Sequence, residues 1–464
     1  MHILKTMKYL IALLFCILPL MAGAQTRLPE SQAEISLSFA PLVRETAPAV
    51  VNIYAKVVTQ TRQRTPFMND PFFERFFEGF GEPRPRVENS LGSGVILSSD
   101  GIVVSNYHVV GQATDIRIVL NDRREFSARV LLGDAESDLA ILQIEGVEDL
   151  PFLPLRDSDT VEVGELVLAI GNPFGVGQTV SSGIVSGLAR SGGVGGRGLG
   201  YFIQTDAPIN PGNSGGALVG MDGQLIGVNT RILSRSGGSN GIGFAIPSDL
   251  IAAFVRQAEQ GNDQFQRPWA GATGQVVDSD LAQMLDLDRP GGIILAGLHP
   301  ASPLAEAGFD VGDVVIAVDG QDVHSPGEML FRMGLASAGN TVVMTRLRDG
   351  ELSDLTVKMI SPPEVPPRGE ITLPEDAALP GLSVARVNPA VISEMRLPLE
   401  ATGVVVTDLG TLGGRVGLRV GDILQTVDRR EIAAPEDAAK ALGQARRGTR
   451  VQALRRGGRV VLRF

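Results

Sequence analysis

The sequence predicts a mainly β protein: one large β unit closed by a helix, followed by two copies of a smaller β-rich domain. Three observations carry this. Apolar triplets flank tight-turn dipeptides again and again, as in Gly94-Val95-Ile96-Leu97, Asp100-Gly101, Ile102-Val103-Val104 and again in Ala217-Leu218-Val219, Asp222-Gly223, Leu225-Ile226-Gly227-Val228. Glycine is abundant (56 residues) while aromatics make up only 5%, a composition of turns and loops. The last third repeats itself without gaps at an offset of 109 residues.

Before the β unit comes a leader. Lys5 and Lys8 precede an apolar run from Tyr9 to Met21 that is short for a membrane span, and Ala22-Gly23-Ala24 offers a small-residue cleavage site. Residues 1–24 therefore read as a secretory signal peptide; the alternative is an uncleaved anchor. Cleavage there removes Cys16, the one cysteine. A cysteine-free mature chain suits an oxidising, exported compartment and excludes thiol catalysis and cysteine-ligated zinc. The net charge of -11 argues against a nucleic-acid binder, which would need a basic face.

Residues from about 35 to 260 form the large unit. Segments 161–170 and 180–188 read as strands, and Ser248 to Gln260 as a helix with Ser248 as N-cap and Gly261 at its end. Beyond it, 307–326 and 416–435 match at Gly308/Gly417, Val311/Val420, Gly312/Gly421, Asp313/Asp422, Val318/Val427, Asp319/Asp428 and Pro326/Pro435. Each copy ends in a hairpin, around Asp349-Gly350 and Gly457-Gly458. A period this long means whole domains, joined by the Pro-rich linker 361–374.

The chemistry lies in the β unit. Excluding the leader, its lone histidine is His108, in SNYHVV; Asp138 follows in SDLAIL and Ser214 in GNSGGAL. A lone histidine is commonly structural, but His, Asp, Ser is the chain order of the chymotrypsin-type triad. In that arrangement Ser214 attacks a carbonyl, His108 takes its proton, and Asp138 fixes the tautomer of His108 and stabilises its charged form. Gly212, Gly215 and Gly216 keep side chains away from the hydroxyl and free the N–H groups of Gly212 and Ser214, with Asn213 between them, for a developing oxyanion. The rival nucleophile elbow, G-x-S-x-G, fails on context, because two glycines and a hairpin follow the serine where that fold needs a helix. Asp134 and Asp206 compete for the acid's place. Asp138 is preferred because an apolar strand follows it directly.

SNYHVV, SDLAIL, QTDAPINPGNSGGALV and GIGFAIP together resemble the HtrA (DegP/Do) family of serine endoproteases, over nearly all of the chain beyond the leader. The resemblance implies a chymotrypsin-like double β-barrel over 25–262 and two PDZ domains, over 266–360 and 375–464. It implies ATP-independent proteolysis of unfolded or damaged exported proteins in the periplasm, alongside chaperone activity, on a trimeric building block that assembles further. A different class of function stays open: a peptide-binding chaperone or scaffold whose triad is idle. No metal or cofactor site is expected.

Where a trypsin-like specificity would place an acid, six residues before the serine, stands Pro208, so a basic side chain is not the preferred substrate residue. The resemblance assigns Asn229, Thr230, Arg231, Ile232 and Leu233 to the specificity pocket, with Ile232 and Leu233 favouring small or medium aliphatic groups and Arg231 unusual there. It also assigns peptide capture by strand addition to the PDZ units. The loop for a terminal carboxylate is Trp269, Ala270, Gly271 and Ala272 in the first and Leu379 to Leu382 in the second, where Pro380 lacks a donor.

Two further features are regulatory expectations. Six glycines in 191–200, and the Gly/Ser stretch 234–241, are costly to order and in the family relay activation; the plain alternative is loose surface connections. Pro66 to Gly81 places Phe72, Phe73, Phe76, Phe77 and Phe80 at helical spacing, the mark of an inserted loop with an apolar stripe.

Overall fold

The computed structural model describes residues 38–59, 86–172, 177–188, 201–210, 212–232, 239–287, 289–446 and 448–463. The leader, the phenylalanine-rich segment, the 191–200 loop and Leu233 lie outside the described residues.

Two closed six-stranded antiparallel barrels form the first part. Barrel one contains β1 (Val50–Thr59), β2 (Arg86–Ile96), β3 (Ile102–Ser105), β4 (Asp115–Val119), β5 (Glu125–Asp134) and β6 (Leu139–Ile144), in the order β1-β2-β3-β6-β5-β4. Barrel two contains β7 (Leu166–Gly171), β8 (Thr179–Gly187), β9 (Ile203–Thr205), β10 (Ala217–Gly220), β11 (Leu225–Ile232) and β12 (Gly243–Pro247), in the order β10-β11-β12-β9-β8-β7. Helix α1 (Ala40–Thr46) precedes them, α2 (Tyr107–Val110) follows β3, and α3 (Ser248–Glu259) closes the pair. The expected helix is there, but Ser248 does not cap it: its hydroxyl donates to the carbonyl of Arg156, tying the helix to the barrel instead.

The apolar runs explain the packing. In β6 the four residues Leu139, Ala140, Ile141 and Leu142 are fully buried. Leu139 and Ile141 face the core between the barrels and α3, while Ala140 and Leu142 face the interior of barrel one. β10 divides its residues in the same way, with Ala217 and Val219 in the shared core and Leu218 inside barrel two. A strand buried on both faces reads as a continuous apolar run, and each such leucine or isoleucine contributes ~1.5–3 kcal/mol. β6 starts directly after Asp138 and β10 three residues after Ser214, so the burial that closes the barrels also anchors the polar segments that precede them.

Two similar sheet domains follow. The first contains β13 (Ala272–Val276), α4 (Ser279–Met284), β14 (Ile293–Leu298), α5 (Pro303–Glu306), β15 (Val314–Val318), β16 (Gln321–Asp322), α6 (Pro326–Leu335), β17 (Thr341–Arg348) and β18 (Glu351–Lys358). The second contains β19 (Ile371–Thr372), β20 (Leu382–Arg386), α7 (Pro389–Met395), β21 (Val404–Leu409), β22 (Ile423–Val427), β23 (Arg430–Glu431), α8 (Pro435–Gly443), β24 (Arg450–Arg455) and β25 (Gly458–Arg463). The repeat has a physical basis in one ion pair per domain, built on a buried aspartate and a part-exposed arginine. Asp313 and Asp422 are 3% and 0% exposed, and each receives two bonds from an arginine, Arg348 and Arg455. Those arginines also donate to the carbonyls of Gly308 and Gly417, so the matched Gly and Asp positions belong to one network. The last hairpin turns one residue earlier than expected, at Arg456-Gly457, both with positive φ.

The first sheet domain docks on the barrels through α6. Phe331 is fully buried and stacks on Tyr201 with centroids 4.1 Å apart. Arg332 pairs with Asp159 and donates to the Tyr201 hydroxyl at 3.1 Å.

Candidate active site

The site lies where the two barrels meet. Asp138 ends the turn before β6 with φ +55, a left-handed conformation that aspartate tolerates better than most residues. Its backbone carbonyl accepts from Tyr107 N (3.1 Å) and from the Asn106 side chain (3.0 Å), which sets α2 against it. His108 Nδ1 lies 2.9 Å from both carboxylate oxygens, and the His108 backbone N–H donates to Oδ1 at 3.0 Å. The Thr230 hydroxyl donates to Oδ2 at 2.7 Å. Burial alone would raise the Asp138 carboxyl, but the His108 charge and the hydrogen bonds from His108 and Thr230 outweigh it, holding the group below the usual carboxylate value. A carboxylate on Nδ1 places the imidazole proton there and leaves Nε2 as the basic nitrogen.

Ser214 comes from barrel two and its backbone is held by barrel one. Its carbonyl accepts from Ser93 N at 2.9 Å. The Ser93 hydroxyl, fully buried, donates to the Gly212 carbonyl at 2.6 Å and accepts from Asn172 N at 2.8 Å. Gly212 and Gly215 take φ of +94 and +83, and a Cβ on Gly215 would lie 2.1 Å from the Ser93 carbonyl oxygen, so this approach needs glycine. The Ser214 hydroxyl donates to the Thr230 carbonyl at 3.1 Å. Thr230 thus touches two members of the constellation, the acid through its side chain and the serine through its backbone.

Three residues, Asn213, Asn229 and Thr230, depart from the sequence expectation. Asn213 is not an oxyanion donor, because its N–H donates to the Asn210 carbonyl at 3.0 Å; among the described residues no acceptor takes the N–H of Gly212 or Ser214. Asn229 and Thr230 do not line an open pocket. Asn229 is fully buried and donates to the Ala217 carbonyl, and a register shift in the β11–β12 pairing between Asn229 and Arg231 accompanies the inward turn of Thr230. Arg231 places its guanidinium 5.2 Å from the Phe202 ring centre, and Ile232 packs on the core of barrel two. The rival acids are engaged elsewhere: Asp134 pairs with Arg267 and accepts from Ser137 N, and Asp206 accepts from Ile184 N. Ser93 and Thr230's link to Asp138 were missed in the sequence; the signal available was only a serine between two glycines in LGSGV.

In the first sheet domain the loop ahead of β13 is well fixed. Trp269 packs edge-on to His299 with centroids 5.4 Å apart, the Ala270 carbonyl accepts from the Ser302 hydroxyl, and the Gly271 carbonyl accepts from His299 N. Gly271 has φ +58 and Ala272 begins the strand. One carboxylate group, Asp157, Asp159 and Asp249, is close enough to ligate a cation. It lies away from the triad and is engaged by Ser158, Arg332 and the Asp159 backbone.

Known proteins share both parts. The trypsin-like peptidase domain matches residues 92–228 and the PDZ domain residues 273–359. The periplasmic serine endoprotease DegP of Escherichia coli is 34% identical over 453 residues, covering 92% of this chain and 90% of that one. The chain belongs to the HtrA (DegP/Do) family of serine endoproteases. The periplasmic pH-dependent serine endoprotease DegQ of Escherichia coli is 36% identical over 412 residues, covering 87% of this chain and 86% of that protein. Among solved structures, the HtrA-type protease AlgW with a tripeptide superposes with a TM-score of 0.53 at 38% identity, covering 71% of this chain and 99% of that one. This HtrA-family chain is a serine endoprotease with a double-barrel domain and PDZ-like domains after it; its relatives are named as periplasmic.

Proposed function

We propose that Ser214, His108 and Asp138 carry out acyl transfer on unfolded or damaged exported proteins. The single observation behind this is the two-oxygen contact of Asp138 with His108 Nδ1 at 2.9 Å, beside a serine held on a glycine turn. The Ser214 hydroxyl turns from the Thr230 carbonyl to His108 Nε2 and attacks the substrate carbonyl carbon while its proton passes to Nε2. The N–H groups of Gly212 and Ser214 receive the oxyanion, each worth ~10²–10³ in rate. The intermediate collapses, the amine leaves with the proton from His108, and water removes the acyl group by the same route. Pro208, standing where an acid would be needed, disfavours a basic residue before the cleaved bond, and Ile232 and Leu233 favour a small or medium aliphatic one. The loop Ala270 to Ala272 and the edge of β13 capture extended peptide ends. We further propose export to the periplasm by cleavage after Ala24, a protease domain ending at 262, a first PDZ domain over 266–360, a second that begins at Ile371 rather than 375 because β19 belongs to its sheet, and a trimer-based assembly. The test is to incubate mature protein with unfolded casein, with and without a serine-reactive inhibitor. Inhibitor-sensitive fragmentation is expected; intact casein whose aggregation is nevertheless suppressed would favour the chaperone with an idle triad.

A further inference from the structure

The two C-terminal domains differ at the place where a peptide would bind. In the first, β13 pairs on one side with β14, and among the described residues nothing pairs with its other edge. Helix α6 lies alongside, so an extended chain has an open slot between strand and helix. In the second domain β20 takes the place of β13. Each strand follows a glycine of positive φ, Gly271 (+58) or Gly381 (+72), and each pairs inward in the same way, Ala272 with Leu298 and Leu382 with Leu409. The outer edge of β20, however, is taken. Ile371 pairs with Val384 and Thr372 with Ser383, antiparallel.

The contact continues past the strand. Leu373 N donates to the Leu382 carbonyl at 2.8 Å, and Gly381 N donates to the Leu373 carbonyl at 3.0 Å. The Thr372 and Ser383 hydroxyls meet at 2.8 Å. The Leu373 side chain is 3% exposed, in a cluster with Leu379, Leu382, Ala438, Ala441 and Leu442, the last three from α8. Helix α8 lies against both β19 and β20. Residues 371–373 therefore lie in the slot as an added strand would, with an apolar side chain in the pocket and a carbonyl on the loop N–H that faces a chain end.

We infer that the second domain is a peptide-binding groove that the chain fills with its own segment Ile371–Leu373, so that it takes an external peptide only when that segment is displaced. The ligand class follows from the occupant: an extended chain end with a leucine-sized terminal side chain and a β-branched residue two positions before it. The occupant is tethered by fewer than ten residues, which gives it an effective concentration on the order of mM. A free peptide of similar affinity at micromolar concentration loses that competition. Peptide capture is then confined to the first domain while the segment is seated. This rests on the proposal that β13 and its loop receive peptide ends, and the test separates the two.

The experiment uses the full-length chain carrying Ser214→Ala, to prevent cleavage. The probe is a fluorescein-labelled decapeptide ending in Glu-Ile-Thr-Leu with a free carboxylate. Its stoichiometry is measured by titration on that protein and on the same protein with Leu373→Ser. One additional peptide bound per chain in the Leu373→Ser protein supports the inference, whether the starting number is one or zero; zero sinks only the first-domain reading. An unchanged number overturns the inference. Should Leu373→Ser fail to fold, hydrogen exchange on the unsubstituted groove decides. Both amides of Leu373 and Gly381 should be protected without probe; under millimolar probe Leu373 should lose protection while Gly381 keeps it, its N–H passing to the probe's chain end. Exchange at the unstructured rate without probe overturns the inference.

Discussion

The hydroxyl of Ser93, on a strand of barrel one, donates to the carbonyl of Gly212, on the serine loop of barrel two. The peptide unit from Gly212 to Asn213 is thereby held at both ends, since the Asn213 N–H is bound by Asn210. It lies between the two N–H groups that face the oxyanion, so its orientation fixes theirs. Ser93→Ala removes the donor to Gly212 and the acceptor for Asn172. We expect kcat on a peptide substrate to fall by about 10-fold or more, with KM little changed, because the loss acts where the oxyanion develops. Affinity for a peptide aldehyde, whose adduct carries an oxyanion, should fall with kcat. A proportional rise in KM with constant kcat would show that the contact only shapes the ground state.

Asp138→Asn should leave the fold intact and lower kcat by about 10⁴, because an amide at that place favours the wrong imidazole tautomer. Thr230→Val removes one of the bonds that hold the carboxylate charged and oriented. Its effect should be smaller, about 10-fold. Rates for both variants and thermal denaturation in parallel check this. Equal losses would mean that Thr230 is a full partner in the chemistry.

Phe331 and Arg332 tie the first C-terminal domain to the barrels through Tyr201, the residue directly after the 191–200 glycine stretch. Phe331→Ala, in a Ser214→Ala background, should cost about 3–5 kcal/mol at this contact. Calorimetry should then separate one unfolding transition into two, and limited trypsin digestion should release the C-terminal part faster. A single unshifted transition would show that the contact adds nothing to docking.

Asp249 reports on pH. Burial, with Asp157 and Asp159 nearby, raises its carboxyl above the ordinary value despite hydrogen bonds from Ser158. A carboxyl whose folded pKa lies above its unfolded one favours the folded state when protonated. That contribution is complete below the unfolded value, ~3.9, and is lost as pH rises through the raised value. Asp249→Asn, which keeps an acceptor for Ser158, should therefore raise Tm by a few degrees at pH 7.5 and by less at pH 4.5. An equal change at both pH values would contradict the direction.

How much of this was legible in the sequence depends on what each contact spans. β6 and β10 were readable because continuous apolar runs buried on both faces leave little choice of element, and they carry Asp138 and the serine loop with them. The glycines at 212, 215 and 216 were readable because close approach and positive φ leave a compositional mark. Ser93 was not, since its role depends on a strand 119 residues away from Gly212. The resemblance places Thr230 in the pocket as one of five consecutive residues, and nothing in that run of residues reveals the register shift beside it that turns its side chain inward. The proline content makes 361–374 a spacer on sequence grounds; in the structure Ile371 and Thr372 form β19, because a two-residue strand pairing over an apolar pocket leaves no periodic mark in the sequence.

The most direct measurement is active-site labelling. Protein lacking residues 1–24 is treated with a peptidyl phosphonate ester, digested and mapped by mass spectrometry, with casein hydrolysis followed on the same sample. One adduct per chain on Ser214 is expected, forming at the rate at which hydrolysis is lost. Ser214→Ala should take no label and show a turnover lower by about 10⁶. Labelling at another residue, or near wild-type hydrolysis by Ser214→Ala, would contradict the assignment of the nucleophile and with it the mechanism.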